Sequence, residues 1–136
     1  MSDFRASTAL DVDDDPLDFL ATVSDRIDGF LYRALNDRDY TMLRVSSGFE
    51  RMLGLSSREW VVRGLSFTDL IHPDDRAHVA KVVDRAIETH ARWKLNYRLR
   101  AANGEYVPVF ETGGTTIDPA TGEVNLYGVI VDMRTA

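Results

Sequence analysis

The stretch Leu70-Ile71-His72-Pro73-Asp74-Asp75-Arg76 decides how the rest of the chain reads. Pro73 suits the first turn of a helix, because the N–H it lacks is one that a helix start leaves unbonded anyway. Asp74 and Asp75 fall at the positive end of the dipole that follows. Val79, Val82, Val83, Ala86 and Ile87 then recur at helical spacing. This predicts an amphipathic helix whose polar face carries Lys81, Asp84, Arg85 and Glu88.

Downstream, the period changes from helical to two. Trp93, Leu95, Tyr97 and Leu99 alternate with Lys94, Asn96, Arg98 and Arg100, the pattern of a strand with one wet face. Asn103-Gly104 predicts a tight hairpin, because both residues tolerate positive φ. A strand is expected from Tyr106 to Ile117, with a break at Gly113-Gly114. Pro108 cannot donate to a ladder, so it belongs at a bulge or on an unpaired side. Asp118 to Gly122 reads as a turn and Val124 to Met133 as the last strand.

Upstream, residues 1–14 read as a flexible acidic leader whose Asp11, Asp13 and Asp14 form a solvated charge run with Asp15. Residues 15–28 read as a helix opened by Asp15-Pro16 and closed before Gly29. Leu20, Val23 and Ile27 form one stripe, Leu17 and Ala21 a second, and Phe19 lies off the first. That is more apolar surface than a one-sided helix needs. Two readings stand: the helix covers a sheet face, or it also pairs with a copy of itself. Phe30–Leu35 and Tyr40–Val45 read as a hairpin around Asn36-Asp37-Arg38-Asp39. Ser47-Gly48-Phe49-Glu50 and Ser56-Ser57-Arg58-Glu59 are capping-box patterns for two short helices separated by Gly54.

At 136 residues and 44% apolar content there is room for one domain with a real core. The predicted class is α+β, a five-stranded antiparallel sheet with helices packed on it and an N-terminal capping helix, the core spanning residues 29–134. A net charge of −6 disfavours a nucleic-acid partner, which needs a basic footprint. No run is apolar enough to span a bilayer and the N-terminus lacks a signal-peptide layout, so the expected location is cytoplasmic, with no membrane partner. Without cysteine there is no disulfide, thiolate metal site or cysteine nucleophile. No nucleophile elbow, P-loop or dinucleotide fingerprint occurs, and turn chemistry accounts for Ser46-Ser47-Gly48 and Gly113-Gly114-Thr115, so the domain is read as non-catalytic.

Over residues 17–134 the chain resembles the PAS domains of signalling proteins, with their PAC motif. The resemblance rests on Leu70 to Arg76, on Tyr97-Arg98-Leu99 before Asn103-Gly104, and on Gly122-Glu123-Val124, Gly128 and Asp132-Met133-Arg134. It departs from the family where Arg134 stands in place of a threonine, and where Pro108 replaces an aromatic or apolar residue. The resemblance implies a family cavity between the sheet and the long helix. Phe30, Tyr32, Met42, Met52, Val83, Ile87, Tyr97, Phe110 and Tyr127 are the candidates to line it, and the plainer reading is that these large side chains fill the space as core.

No cofactor is assigned; haem and a small metabolite are the alternatives weighed. Haem would need an axial histidine. His78 lies one position off the apolar stripe, His90 complements the helix C-terminus, and His72 is read as a cap. A metal at His72, Asp74 and Asp75 is disfavoured, because adjacent side chains diverge around a helix axis.

The resemblance implies a regulatory domain that acts by homodimerisation and protein docking in bacterial signal transduction. Leu17, Phe19, Leu20, Val23 and Ile27 are the expected dimer interface, and Asp132 with Arg134 the expected signal output. The start at Met1 and the stop after the last strand suggest the N-terminal part of a longer protein. Its C-terminal effector would be a cyclic-di-GMP cyclase or phosphodiesterase. The alternatives are a small-molecule or haem sensor of a histidine kinase, or a stand-alone adaptor docking another signalling protein.

Overall fold

The alternating strand at Trp93 pairs with its neighbour through a turn in which only the glycine is left-handed. In the computed structural model, which describes residues 28–134, Gly104 has φ +89° while Asn103 stays at negative φ. Asn103 instead accepts the Glu105 N–H on Oδ1 at 3.0 Å, and Ala101 N–H bonds the Glu105 carbonyl at 2.8 Å. One left-handed glycine after an ordinary turn is the longer hairpin connection, not the two-residue turn expected from Asn-Gly.

The elements run β1 (Gly29–Leu35), β2 (Met42–Val45), α1 (Gly48–Leu53), α2 (Ser57–Arg63), a 3-10 turn (Thr68–Leu70), α3 (Pro73–Glu88), β3 (Trp93–Arg100), β4 (Tyr106–Ile117) and β5 (Val124–Asp132). The five strands form one antiparallel sheet in the order β2-β1-β5-β4-β3. The first and last strands of this domain are therefore partners at its centre, Phe30 opposite Ile130. The helix expected over residues 15–28 and its dimer residues lie outside the described residues, apart from Asp28 itself.

Strand parity sends Phe30, Tyr32 and Ala34, then Val107, Val109 and Glu111, to one buried face. α3 closes that face with Val79, Val83 and Ala86, while Val82 and Ile87 sit at its margin. Among the expected caps, Ser56 accepts from Glu59 N–H at 3.2 Å, but Ser47 makes no side-chain cap. Glu50, the intended reciprocal partner of Ser47, reaches across to the N–H and hydroxyl of Ser57 at 3.0 and 2.7 Å. Ser47 itself sits in helical backbone geometry, which turns its hydroxyl away from the orphan N–H groups.

Two further expectations change. β4 runs unbroken through Gly113-Gly114, so these residues are strand and not turn. β2 begins at Met42, because the pairing of β1 and β2 shifts between Arg33 and Ala34 and Tyr40 takes a φ of +47°. Pro108 occupies the unpaired side: its carbonyl accepts from Met133 N–H at 2.9 Å, and the β4–β5 register begins one residue later at Val109.

The quoted motif fastens α3 to the free edge of β3. His72 N–H donates to the Arg98 carbonyl at 2.9 Å, and the Asp75 carboxylate accepts the Arg98 N–H at 3.0 Å. Asp75 also takes a bidentate pair from the Arg98 guanidinium at 2.9 and 2.8 Å. These contacts satisfy the edge groups that would otherwise template another strand. His72 Nδ1 accepts from Asp74 N–H at 3.1 Å, the cap read from the sequence, and its ring lies 4.5 Å from that of Tyr106. Arg76 donates to the Ile71 carbonyl at 2.9 Å.

Candidate functional site

A carboxylate on the buried face of a strand needs an account, because removing its charge from water is costly unless it is well bonded. Glu111 is 5% exposed and follows Val107 and Val109 on the inward parity of β4. Three neutral donors converge on it. Tyr97 hydroxyl bonds Oε1 at 2.6 Å, Trp93 Nε1–H bonds Oε2 at 2.8 Å, and Tyr32 hydroxyl also bonds Oε2. Tyr97 and Trp93 come from β3 and Tyr32 from β1, so two strands supply the donors to a carboxylate on a third.

Two glycines make room for the rings. Gly113 and Gly128 are direct partners across β4 and β5. A Cβ on Gly113 would lie 2.7 Å from the Trp93 ring, and one on Gly128 would lie 2.9 Å from the Tyr32 ring. The rings therefore rest against bare backbone, which sets the indole N–H and phenol O–H at the height of Glu111.

Burial pushes the Glu111 carboxyl above the ordinary range, and its three hydrogen bonds pull the other way. Burial, with the neighbouring Glu111 charge, also holds Tyr32 and Tyr97 well above the usual phenol range. Tyr40 is pushed up to about 12, chiefly by burial and then by Asp84 and Glu111.

Beside the cluster is a cavity of about 20 Å³, room for about one water molecule. Tyr40, Phe67, Ile71 and Val79 close it above the sheet. Of the residues considered from the sequence, Tyr32, Met42 and Tyr97 line it. Phe30, Met52 and Val83 are buried elsewhere in the core, and Ile87 is at its margin. Phe110 and Tyr127 are corrections: strand parity puts Phe110 opposite in sense to Glu111, and Tyr127 lies over Gly114 on the other face. Glu111, Trp93 and Tyr40 were missed. The signal for Glu111 was available, since it continues the Val107-Val109 alternation onto the apolar face.

Tyr40 and Ile71 also border a second space. On the far side lies an open groove of about 500 Å³ between the 36–40 turn and α3, flanked by Arg38, Arg76 and Asp84. His78 and His90 are exposed, and neither lines the inner cavity. Among the described residues no group of three or more His, Asp or Glu is placed to hold a metal ion, and no helix is long and apolar enough to cross a membrane.

At the end of β5, Asp132 finds its partner two residues on. Arg134 donates to both Asp132 oxygens, with the shortest contact 2.6 Å, and Arg134 N–H bonds Oδ1 at 2.9 Å. Burial opposes the Asp132 charge, but the Arg134 bonds outweigh it and hold the carboxyl below its ordinary range. Asp132 N–H bonds the Asp28 carbonyl at 2.8 Å, which ties the two ends of the described chain together.

The sequence profile described as the PAS fold matches residues 42–130. No curated protein matches the chain significantly. Among solved structures, a PAS domain from Colwellia psychrerythraea is 18% identical, with a TM-score of 0.70, covering 88% of this chain and 98% of its own. The N-terminal domain of a diguanylate cyclase with PAS/PAC sensor from Marinobacter aquaeolei is 20% identical, with a TM-score of 0.62, covering 77% and 94%. A sensory box histidine kinase/response regulator from Burkholderia thailandensis is 23% identical, with a TM-score of 0.63, covering 84% and 83%.

Proposed function

Because this chain belongs to the PAS fold family, we propose that it is a non-catalytic sensor and docking domain that controls an effector through self-association. The observation that carries this reading is the outer face of the sheet. Leu31, Phe110, Val129 and Val131 are only half-buried there, and none belongs to the core cluster on the other face. A face of this composition on the central strands suits a helix or a second copy better than water. The apolar stripes Leu17, Phe19, Leu20, Val23 and Ile27 are the complementary surface, and a symmetric pair of such faces closes as a dimer.

Asp132 and Arg134 form the exit. Their pairing, together with the Asp132–Asp28 backbone bond, joins the start of β1 to the end of β5, so movement of whatever docks on the sheet reaches the segment after β5. The effector in this proposal is a cyclic-di-GMP cyclase or phosphodiesterase of the bacterial cytoplasm; the Marinobacter neighbour, the N-terminal domain of a diguanylate cyclase, supports the cyclase. Sedimentation at tens of micromolar tests the first part: a dimer that Leu20→Asp or Val23→Asp dissociates supports it, and a monomer unaffected by either refutes it. Reading the codons beyond Ala136 tests the effector.

A second reading is favoured by the Glu111 cluster. A buried carboxylate held by three donors beside a cavity is a polar anchor of the kind small-ligand sites use. On this reading the domain senses a small molecule and passes its arrival to the sheet through β4.

A further inference from the structure

Glu111 has three bonded partners, and all are neutral donors. Among the described residues no cationic side chain contributes to its environment. The walls beside it mix aliphatic side chains with five aromatic ones, Tyr32, Tyr40, Phe67, Trp93 and Tyr97. A carboxylate among aromatic rings is a combination that recognises an organic cation, by charge and by the negative faces of rings.

Access is the second part of the argument. Tyr40 and Ile71 form the partition between the inner cavity of about 20 Å³ and the outer groove of about 500 Å³. Tyr40 holds a φ of +47°, a conformation that bulky side chains rarely adopt, so its position is a strained one. Asp84 influences it from the groove side and Glu111 from the inner side. Arg38 and Arg76 balance Asp37 and Asp84 along the groove, so the pull on positive charge comes from Glu111 at the inner end. Rotation of Tyr40 would join the two spaces into one of the size that small-molecule sites have.

From this arrangement we infer that the Glu111 cavity takes a small organic cation, a protonated or quaternary amine, admitted from the groove between the 36–40 turn and α3 by movement of Tyr40. The inference rests on the small-molecule reading above and gives its ligand a chemical class.

The test uses choline and its uncharged isostere, in which carbon replaces the quaternary nitrogen. The readout is the indole N–H resonance of Trp93, with the indole of Trp60 as internal control, since Trp60 packs on Phe49 away from the cavity. Choline is expected to move Trp93 and leave Trp60 in place, with the isostere and the Glu111→Gln protein at least about tenfold weaker. Tyr40→Ala should speed association. If Glu111→Gln does not fold, the pair of probes on the wild-type protein still decides the role of charge. Equal binding of the isostere overturns the cation inference and leaves the small-molecule reading standing. Silence of Trp93 to choline, in both wild type and Tyr40→Ala, overturns the inference. Failure of a broad metabolite panel to raise Tm would remove the small-molecule reading as well.

Discussion

Gly113 and Gly128 face each other across β4 and β5, and each is the seat of one ring that bonds Glu111. An added Cβ would also meet backbone, 2.6 Å from the Tyr127 carbonyl oxygen for Gly113 and 2.7 Å from that of Thr112 for Gly128. Neither glycine is in the left-handed region, so steric room is the whole reason for them. Gly113→Ala and Gly128→Ala should each destabilise by about 1–3 kcal/mol, the range for overpacking. Gly114→Ala should cost less, since its new methyl would meet only the end of the Tyr127 side chain, at 3.3 Å. Urea unfolding of the three variants checks the order, and an equal effect at all three positions would refute the ring-seat account.

The buried carboxyl predicts an unusual pH dependence. Glu111 is raised in the folded state, so the folded protein binds its proton more tightly than the unfolded chain does. Its contribution is full below the unfolded value of about 4. It is lost as pH rises through the raised folded value. The stability of the wild type relative to Glu111→Gln should therefore fall across that window and level off above it. Urea midpoints of both proteins from about pH 4 to about pH 8 measure this difference. Parallel curves would mean that Glu111 is not the group responsible.

Asp75 carries the opposite sign. The Arg98 hydrogen bonds hold its carboxyl below the ordinary range, so its contribution is present above the unfolded value and disappears as pH falls through the lowered folded one. Asp75→Asn keeps the shape but loses the charge-assisted fork. The expected result is a Tm lower by a few degrees at neutral pH, with the gap closing in acid. Thermal melts at the two pH values check it. Hydrogen exchange at the Arg98 amide gives a second readout, because that N–H bonds Asp75 directly.

Pro108 should be replaceable. Its nitrogen lies where β5 has already ended, and only its carbonyl is used. Pro108→Thr is expected to change stability by no more than about 0.5 kcal/mol. A larger loss would show that the proline fixes the register of β4.

The order of strands and helices was legible because it is written in local periodicity. Alternation from Trp93 to Arg100, the Val79–Ala86 stripe and the Pro73 start each depend on residues within a few positions of one another. The role of His72 as a cap was equally local. Elements misread from the sequence were those where a local signal had a distant cause. Gly113-Gly114 resembles a turn, yet Gly113 is required by a ring from β3, and the usual partner of Ser47 was taken by Ser57.

By itself the sequence determined a five-stranded antiparallel sheet covered by helices, and the inward parity that makes Glu111 anomalous. Only the tertiary structure decided which groups meet that carboxyl. Tyr32, Trp93 and Tyr97 lie 79, 18 and 14 residues from it along the chain, and no short-range pattern can encode those separations. The same holds for the pairing of Asp75 with Arg98, 23 residues apart. Such contacts exist because the sheet places β1 beside β5 and α3 lies across β3 and β4, and that placement is a property of the whole packed chain.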